Sequence, residues 1–234
     1  MIYVTSDLHG YPLAEFKKLL ERANFSENDF LYILGDVIDR NGDGGVEMLR
    51  WIIRQQNVEL VLGNHEAMLL SCDYLFKEIT MESIEKLNTE HMNMLLNYLR
   101  NGGNETLKSF RALMGYAPQE VHEILDYLRY APLYEAITVC EKDYILVHGG
   151  LGNFSPNKKL SEYTADELLW TSPDLNQKYF DDITIVFGHT PTMTYDEDLK
   201  GNILYTKTWI DVDVGVGYGN APVLLRLDDY KEFR

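Results

Sequence analysis

Short apolar runs alternate with helical segments through the first 62 residues, and this alternation restricts the fold more than any other feature. The runs IYVTS, FLYIL and VELVL have the β-branched and apolar composition of buried strands. Between them, Pro12 to Asn24 and the stretch VEMLRWIIRQQ place apolar residues at helical spacing. A β-α-β-α-β order with continuously apolar strands is typical of a parallel or mixed sheet covered by helices.

The rest of the chain is first helical and then strand-rich. From Ala67 to about Tyr130 the apolar residues keep helical spacing, which predicts a helical insertion after the third strand, over residues 67–130. Strands return afterwards in the stretches YEAITV, YILVH, ITIVFGH, ILYTKTWIDVDVG and APVLLRLDD. We therefore predict a single α/β domain that spans residues 1–234.

The composition argues against several classes of partner. The 234 residues carry a net charge of −16, which disfavours a nucleic-acid backbone or an anionic membrane, although bound cations can still create a phosphate site. No apolar run reaches the length of a membrane span, and IYVTSD at the start has the pattern of a strand rather than a signal peptide. Cys72 and Cys140 are far apart, so we expect reduced thiols and a cytoplasmic protein.

Polar side chains stand directly after five of the predicted strands. They are Asp7 and His9 after the first strand, Asp36, Asp39 and Arg40 after the second, Asn64 and His65 after the third, and His148 and His189 after YILV and ITIVF. Each motif alone is compatible with a turn or a helix cap. Ligands in open α/β sheets bind outside the carboxyl ends of the strands, so recurrence at five strand ends favours one shared site.

The residue types in this set suit metal ions. Carboxylates, imidazoles and an amide carbonyl, without thiolates, fit two Mn²⁺ ions or ions of the Fe and Zn type. Two metals about 3.5–4 Å apart lower the pKa of a shared water and stabilise both oxygens of an in-line displacement. The residues alone leave open which histidines bind metal and which face the substrate.

In this order, the motifs D-x-H-G, G-D-x-x-D-R, G-N-H-E, H-G-G and G-H-T-P resemble those of the calcineurin-like metallophosphoesterases, from Asp7 to Pro191. GNHE and the stretch LLWTSPD further resemble the compact bacterial Ser/Thr protein phosphatase branch. The resemblance implies a metallophosphoesterase-type central β-sandwich flanked by helices, with a dimetal site at its edge. It also implies two divalent ions, with Mn as the first candidate and Fe, Zn, Ni or Co as alternatives.

The resemblance further implies a role for each residue by its position. Six metal ligands are expected, with Asp36 bridging both ions: Asp7, His9, Asp36, Asn64, His148 and His189. His65 resembles the family's proton donor to the leaving oxygen, Asp39 the residue that orients it, and Arg40 a phosphate-clamping arginine. A metal-bridging hydroxide would attack phosphorus in line.

Two departures from the family pattern bear on the substrate. Pro191 stands where nuclease and phosphodiesterase relatives usually carry a second histidine, which favours a phosphomonoesterase. Ser172 stands near the place where close bacterial relatives have a second arginine, which puts the full phosphate clamp in doubt. The leading expectation is a phosphomonoesterase acting on phosphoserine or phosphothreonine in proteins, with a phosphorylated protein or a small phosphorylated molecule as substrate. The alternatives are a hydrolase of the diadenosine tetraphosphate type and a weakly active phosphate-binding module.

Overall fold

Two five-stranded mixed sheets form the centre of the protein, seen in a computed structural model that describes residues 1–77, 80–81, 85 and 87–234. The first sheet contains, in spatial order, β10 (Lys231–Phe233), β9 (Leu224–Arg226), β1 (Ile2–Thr5), β2 (Phe30–Leu34) and β3 (Val58–Val61). The second contains β4 (Tyr134–Val139), β5 (Lys142–Val147), β6 (Ile183–Phe187), β8 (Trp209–Asp211) and β7 (Leu204–Tyr205).

The central strands of each sheet run parallel. In the first sheet Ile2 pairs with Phe30 and Leu31 with Val58, while β5, β6 and β8 are parallel in the second. Antiparallel strands β9 and β4 flank these sets. One core cluster takes side chains from both sheets, Val4 from β1 and Val186 from β6 among them, so the sheets pack face to face. The carboxyl ends of the parallel strands carry the predicted site residues.

Helices cover the outer faces of this sandwich. The α-helices in the described part of the chain are α1 (Leu13–Arg22), α2 (Val46–Ile52), α3 (Asn64–Ser71), α4 (Thr89–Arg100), α5 (Asn104–Met114), α6 (Pro118–Tyr130) and α7 (Ala165–Leu169). Helices α4 to α6 fall inside the predicted insertion, of which residues 78–79, 82–84 and 86 lie outside the described residues. Among the residues described, no helix has the length and apolarity needed to cross a membrane.

The predicted α/β fold with a helical insertion is confirmed, and the differences lie in the second half. The stretch predicted as one strand from Ile203 is a hairpin, in which Tyr205 of β7 pairs with Ile210 of β8. The Thr206 hydroxyl accepts the N–H groups of Thr208 and Trp209, and this local turn breaks the strand. Strand β10 and helix α7 were not predicted, since both are short and carry little hydrophobic pattern.

Candidate active site

The backbone at the strand ends has an unusual conformation. Six predicted site residues have φ between +42° and +76°, in the left-handed region: Asp7, His9, Asp36, Asp39, Arg40 and His189. For residues other than glycine this region costs about 1–3 kcal/mol each, and such conformations cluster at functional sites. The loops after β1, β2 and β6 are therefore held in place by surrounding contacts.

Glu66 supplies several of these contacts. Its Oε2 atom accepts the N–H groups of Asp36 at 2.8 Å and Gly63 at 3.1 Å, and its Oε1 atom accepts those of Val37 at 2.8 Å and Ile38 at 3.2 Å. The same buried carboxylate thus caps α3 and fixes the backbone of Asp36. Glu66 was not among the predicted site residues, although a Glu at the third position of a helix is the signal of a capping box.

The first candidate ligand group is formed by His9, Asp36 and His65, whose ligand atoms lie within 4.8 Å of one another. His9 Nδ1 donates to the Ile38 carbonyl at 3.1 Å, so its Nε2 lone pair faces two carboxylates, Asp36 Oδ2 and Asp7 Oδ1, each at 3.9 Å. Burial, assisted by the nearby His65, lowers the pKa of His9 well below its ordinary value. A neutral imidazole is the form that binds metal.

The second candidate ligand group is formed by Asp36, His148 and His189, again within 4.8 Å. His148 Nδ1 donates to the Leu34 carbonyl at 2.7 Å, and its Nε2 atom lies 3.4 Å from Asp36 Oδ1 and 2.8 Å from Asn64 Oδ1. Burial, with the neighbouring His148, lowers the pKa of His189 to about 3. Asp36 belongs to both groups and lies between them.

Several hydrogen-bond acceptors face one another in this site, and the described residues provide too few N–H or O–H groups to donate to them. Asn64 Oδ1 lies 2.8 Å from His148 Nε2 and 3.1 Å from His189 Nδ1. Turned over, the same amide would donate to these two nitrogens and to both Asp36 carboxylate oxygens, which is the orientation that suits a site without metal. A bound cation would take the carbonyl oxygen instead. Asp7 Oδ1 is buried without a hydrogen-bond partner among the described residues, while its Oδ2 accepts the His189 N–H at 2.9 Å. Two cations would satisfy these atoms, and the donor set fits them.

His65 of the first ligand group also forms a buried pair with Asp39, and the two are 2% and 0% exposed respectively. His65 Nδ1 lies 2.7 Å from Asp39 Oδ2, and its Nε2 atom lies 3.7 Å from Asp36 Oδ2. Burial alone would lower the pKa of His65, but the carboxylates of Asp36 and Asp39 outweigh it and raise the pKa. Asp39 belongs to neither ligand group, so its part of this effect does not depend on the cations.

Arg40 brings a permanent positive charge to the same place. Its Nη2 atom lies 3.4 Å from His65 Nε2, and its guanidinium lies 5.5 Å from the centre of the exposed Tyr218 ring. Its backbone N–H donates to the Gly102 carbonyl at 3.1 Å, in the turn between α4 and α5. The half-buried guanidinium therefore sits beside the ring of His65. All nine predicted site residues lie together at this edge of the sandwich.

The family model described as calcineurin-like phosphoesterase matches residues 1–214 of this sequence. The chain belongs to this family. Members normally hold a dinuclear metal site, and the two His/Asp groups that share Asp36 are the candidate ligands of such a site in this phosphoesterase.

Curated relatives of this phosphoesterase carry the name bis(5'-nucleosyl)-tetraphosphatase, symmetrical. One from Wigglesworthia glossinidia brevipalpis is 38% identical over 102 residues, which is 42% of this chain and 37% of that protein. The first match thus spans little more than a third of the relative's length. Another, from Actinobacillus succinogenes, is 26% identical over 280 residues and covers 99% of this chain and 95% of that protein.

Solved structures share the fold at lower identity. A structure described as that of a candidate diadenosine tetraphosphatase matches with a TM-score of 0.60 at 18% identity, covering 99% of this chain and 90% of the other. A protein serine/threonine phosphatase from Saccharomyces cerevisiae matches with a TM-score of 0.55 at 16% identity, over 95% of this chain and 71% of the other. Likeness at this level establishes the fold, and the predicted metallophosphoesterase architecture is confirmed.

The segment after α7 borders the second ligand group of the phosphoesterase. The Trp170 ring lies 5.9 Å from the His189 ring, and the Ser172 and Thr190 hydroxyls are 2.6 Å apart. Because Thr190 directly follows His189, position 172 lies close to the site although Ser172 itself is exposed. An arginine there would place its charge beside the second group.

Two residues that contact the site were missed by the sequence analysis. Tyr98 in α4 and Thr106 in α5 both donate hydrogen bonds to Asp39 Oδ1. A Tyr and a Thr inside amphipathic helices resemble ordinary packed residues, and no strand end or glycine marks them. Buried Asp213, after β8, was also missed; burial and the neighbouring Asp7 raise the pKa of its carboxyl well above the ordinary value.

Proposed function

We propose that the chain is a dimetal-dependent phosphohydrolase whose substrate is a dinucleoside polyphosphate of the diadenosine tetraphosphate type. Two His/Asp groups that share Asp36, next to the His65–Asp39 pair and Arg40, carry the reaction class. The names of the two curated relatives support the substrate class, since both are symmetrical tetraphosphatases. A tetraphosphate chain carries several negative charges, which two cations and an arginine would bind.

The ligand roles are those implied by the family resemblance, and the lone-pair directions of His9 and His148 support them. Asp7, His9 and Asp36 would hold one cation, and Asp36, Asn64, His148 and His189 the other. When bound, the cations lower the pKa of a shared water and neutralise phosphate charge. The Ile38 and Leu34 carbonyls fix the tautomers of His9 and His148, so that Nε2 of each ring faces the site.

Arg40 and His65 would act on the phosphate itself. A planar guanidinium suits two oxygens of one phosphate group, so Arg40 would bind the group under attack. His65 Nε2 lies 3.4 Å from Arg40 Nη2, so it would lie beside a phosphate bound by Arg40. The protonated ring would give its Nε2 proton to the departing oxygen, while Asp39 holds Nδ1.

Protein phosphatase activity is the second candidate. It is favoured by the resemblance of GNHE and LLWTSPD to the Ser/Thr protein phosphatase branch. The chemistry would be the same, with a serine or threonine alkoxide as the leaving group. An alkoxide needs a proton more than the phosphate oxygen of a nucleotide does, so the two candidates place different demands on His65.

The purified chain with Mn²⁺ is to be tested on three substrates: diadenosine tetraphosphate, a phosphoserine peptide and p-nitrophenyl phosphate. We expect the tetraphosphate to be cleaved between its second and third phosphates. Water adds to one of these phosphorus atoms, and the other leaves as part of ADP. The only products are then two ADP molecules.

Other products give different answers in the same assay. ATP with AMP would contradict symmetrical cleavage, and a much higher kcat/KM on the phosphopeptide would favour the second candidate. If a fully metal-loaded sample hydrolyses none of the three, the proposed hydrolase function is wrong and only phosphate binding remains.

A further inference from the structure

Two hydroxyl groups from the helical insertion contact the carboxylate that holds His65. Tyr98 OH donates to Asp39 Oδ1 at 2.7 Å. Thr106 Oγ1 donates to the same oxygen and accepts the Asp39 backbone N–H at 3.0 Å. The second oxygen, Oδ2, is left for His65 Nδ1 at 2.7 Å. The carboxylate therefore has three buried donors, which fix its plane and its distance from the imidazole.

Close packing fixes both hydroxyl side chains. Tyr98 and Thr106 are each 0% exposed. A Cβ atom at Gly103 would lie 2.7 Å from Tyr98 Cε1, and one at Gly44 would lie 2.6 Å from Thr106 Oγ1. These approaches require glycine, since real side-chain carbons do not come so close to another heavy atom. Glycine backbone therefore packs directly against Tyr98 and against Thr106.

The backbone that carries Asp39 needs support of this kind. Asp39 and Arg40 have φ of +76° and +66°, conformations that persist only where neighbouring groups hold them. The insertion provides two backbone contacts, from Thr106 Oγ1 to the Asp39 N–H and from the Gly102 carbonyl to the Arg40 N–H. The helices of the insertion thus hold Asp39, whose carboxylate orients His65, and the adjacent Arg40.

We propose that α4 and α5 position the proton donor, with Tyr98 and Thr106 acting through Asp39, an inference that rests on the proposed function. Both are positioning residues, because they contact Asp39 and not the reacting atoms. Groups that orient a functional histidine are typically worth about 10–100-fold in activity. The loss should concern protonation of the leaving oxygen and leave metal binding and substrate binding unchanged.

The test compares Thr106→Val, which removes the hydroxyl at nearly constant shape, with Thr106→Ser, which keeps it, and with Tyr98→Phe. Each is assayed with Mn²⁺ on two substrates. Phenyl phosphate has a poor leaving group, phenolate, and p-nitrophenyl phosphate has a good one, p-nitrophenolate. We expect Thr106→Val to lower kcat on phenyl phosphate about tenfold, with a smaller loss on p-nitrophenyl phosphate and unchanged KM and metal content. Thr106→Ser should restore kcat, and Tyr98→Phe should show the Val pattern more weakly.

A matched control for the tyrosine is Tyr144→Phe. Tyr144 is also buried, but its hydroxyl pairs with Tyr230, away from the site, so kcat should stay at the wild-type value on both substrates. A second readout needs no turnover: in metal-free, ¹⁵N-histidine-labelled protein, the His65 Nδ1 proton should lose or shift its downfield resonance in Thr106→Val and regain it in Thr106→Ser.

Equal losses of kcat on the two aryl phosphates, or an unchanged resonance in Thr106→Val, would overturn the positioning role. If Thr106→Val does not fold, Tyr98→Phe decides: wild-type kcat on phenyl phosphate with an unchanged resonance rejects the inference. A wild-type enzyme that hydrolyses no phosphate substrate would instead contradict the proposed function, and the resonance experiment keeps the two failures apart.

Discussion

The two sides of the site are supported by different parts of the chain. On the side of His148 and His189, support comes from strand backbone: His148 Nδ1 donates to the Leu34 carbonyl at the end of β2, and the Gly188 N–H donates to the His148 carbonyl at 2.8 Å. On the side of His65, support comes from the helical insertion, whose hydroxyls hold Asp39. The strand ends therefore carry the candidate metal ligands, while the insertion supports His65, the proposed proton donor.

Substitutions on the two sides of the site should therefore have different effects. A change at the strand ends should appear first as lost metal, since the side chains there would bind the cations directly. A change on the insertion side should leave the metal bound and slow a step that depends on proton transfer. The shared residue, Asp36, should show both effects.

Asp36→Asn should have the largest effect. The carboxylate belongs to both ligand groups, and an amide would bridge two cations poorly and would not offset their mutual repulsion. We expect a loss of more than about 10³ in kcat together with fewer metal ions per chain. Metal analysis and turnover of p-nitrophenyl phosphate on the same sample check this. Wild-type activity with two bound metals would show that Asp36 does not bridge.

His65→Asn should come next and should depend on the leaving group. General acid catalysis typically contributes about 10²–10⁴-fold, and p-nitrophenolate needs the proton least. We expect a large loss of kcat on a phosphoserine peptide or phenyl phosphate, a small loss on p-nitrophenyl phosphate, and full metal content. His122→Asn, at an exposed position of α6, is the matched control and should change neither value. Because His65 also lies in the first candidate ligand group, a lost metal would make it a ligand instead.

Arg40→Ala should weaken catalysis without changing the number of bound metals. Removing one donor that stabilises a charged oxygen typically costs about 10²–10³ in rate, and no arginine at position 172 shares the role. The change should also weaken inhibition by inorganic phosphate. Arg40→Lys keeps the charge but loses the planar pair of donors, so it should restore only part of the activity. Unchanged phosphate inhibition in Arg40→Ala would place the guanidinium away from the substrate.

Ser172→Arg should have the smallest effect and the opposite sign. The Ser172 hydroxyl lies 2.6 Å from that of Thr190, next to His189, so an added guanidinium would reach the second ligand group. We expect phosphate inhibition to strengthen several-fold, as for one added exposed charge pair. Ser161→Arg adds the same charge at another exposed serine and controls for net charge. If the two variants behave alike, position 172 does not face the substrate.

The grouping of the candidate ligands could be predicted from the sequence because each residue stands at the end of a recognisable strand. Asp36, Asn64 and His148 follow apolar strands directly and stand beside glycines, and parallel strands bring such ends to one edge. The same physical rule does not extend to helices, where Tyr98 and Thr106 lie among packed residues of the insertion. Their role depends on how α4 and α5 turn toward Asp39, which the spacing of apolar residues does not encode.

Boundaries in the second half of the fold were less predictable for a related reason. Alternating residues from Ile203 to Gly215 indicate one long strand, whereas Thr206 folds the chain back on itself through its own hydroxyl. Similarly, the left-handed backbone of Asp39 and Arg40 was not predictable, because neither is a glycine, the residue that usually marks this conformation. The family resemblance indicated which residues form the candidate site, and the structure shows the contacts that hold them.

The most direct test of the two-cation site is a metal titration of the wild-type chain. After exhaustive chelation, with removal verified by elemental analysis, Mn²⁺ is added stepwise while bound metal and turnover of p-nitrophenyl phosphate are measured on each sample. The shared Asp36 predicts no turnover in the metal-free protein and saturation at two ions per chain. The family resemblance adds the expectation that recovery is greater with Mn²⁺ than with Zn²⁺ or Ni²⁺. Undiminished turnover in the verified metal-free protein, or full activity at a single bound ion, would contradict the two-cation site.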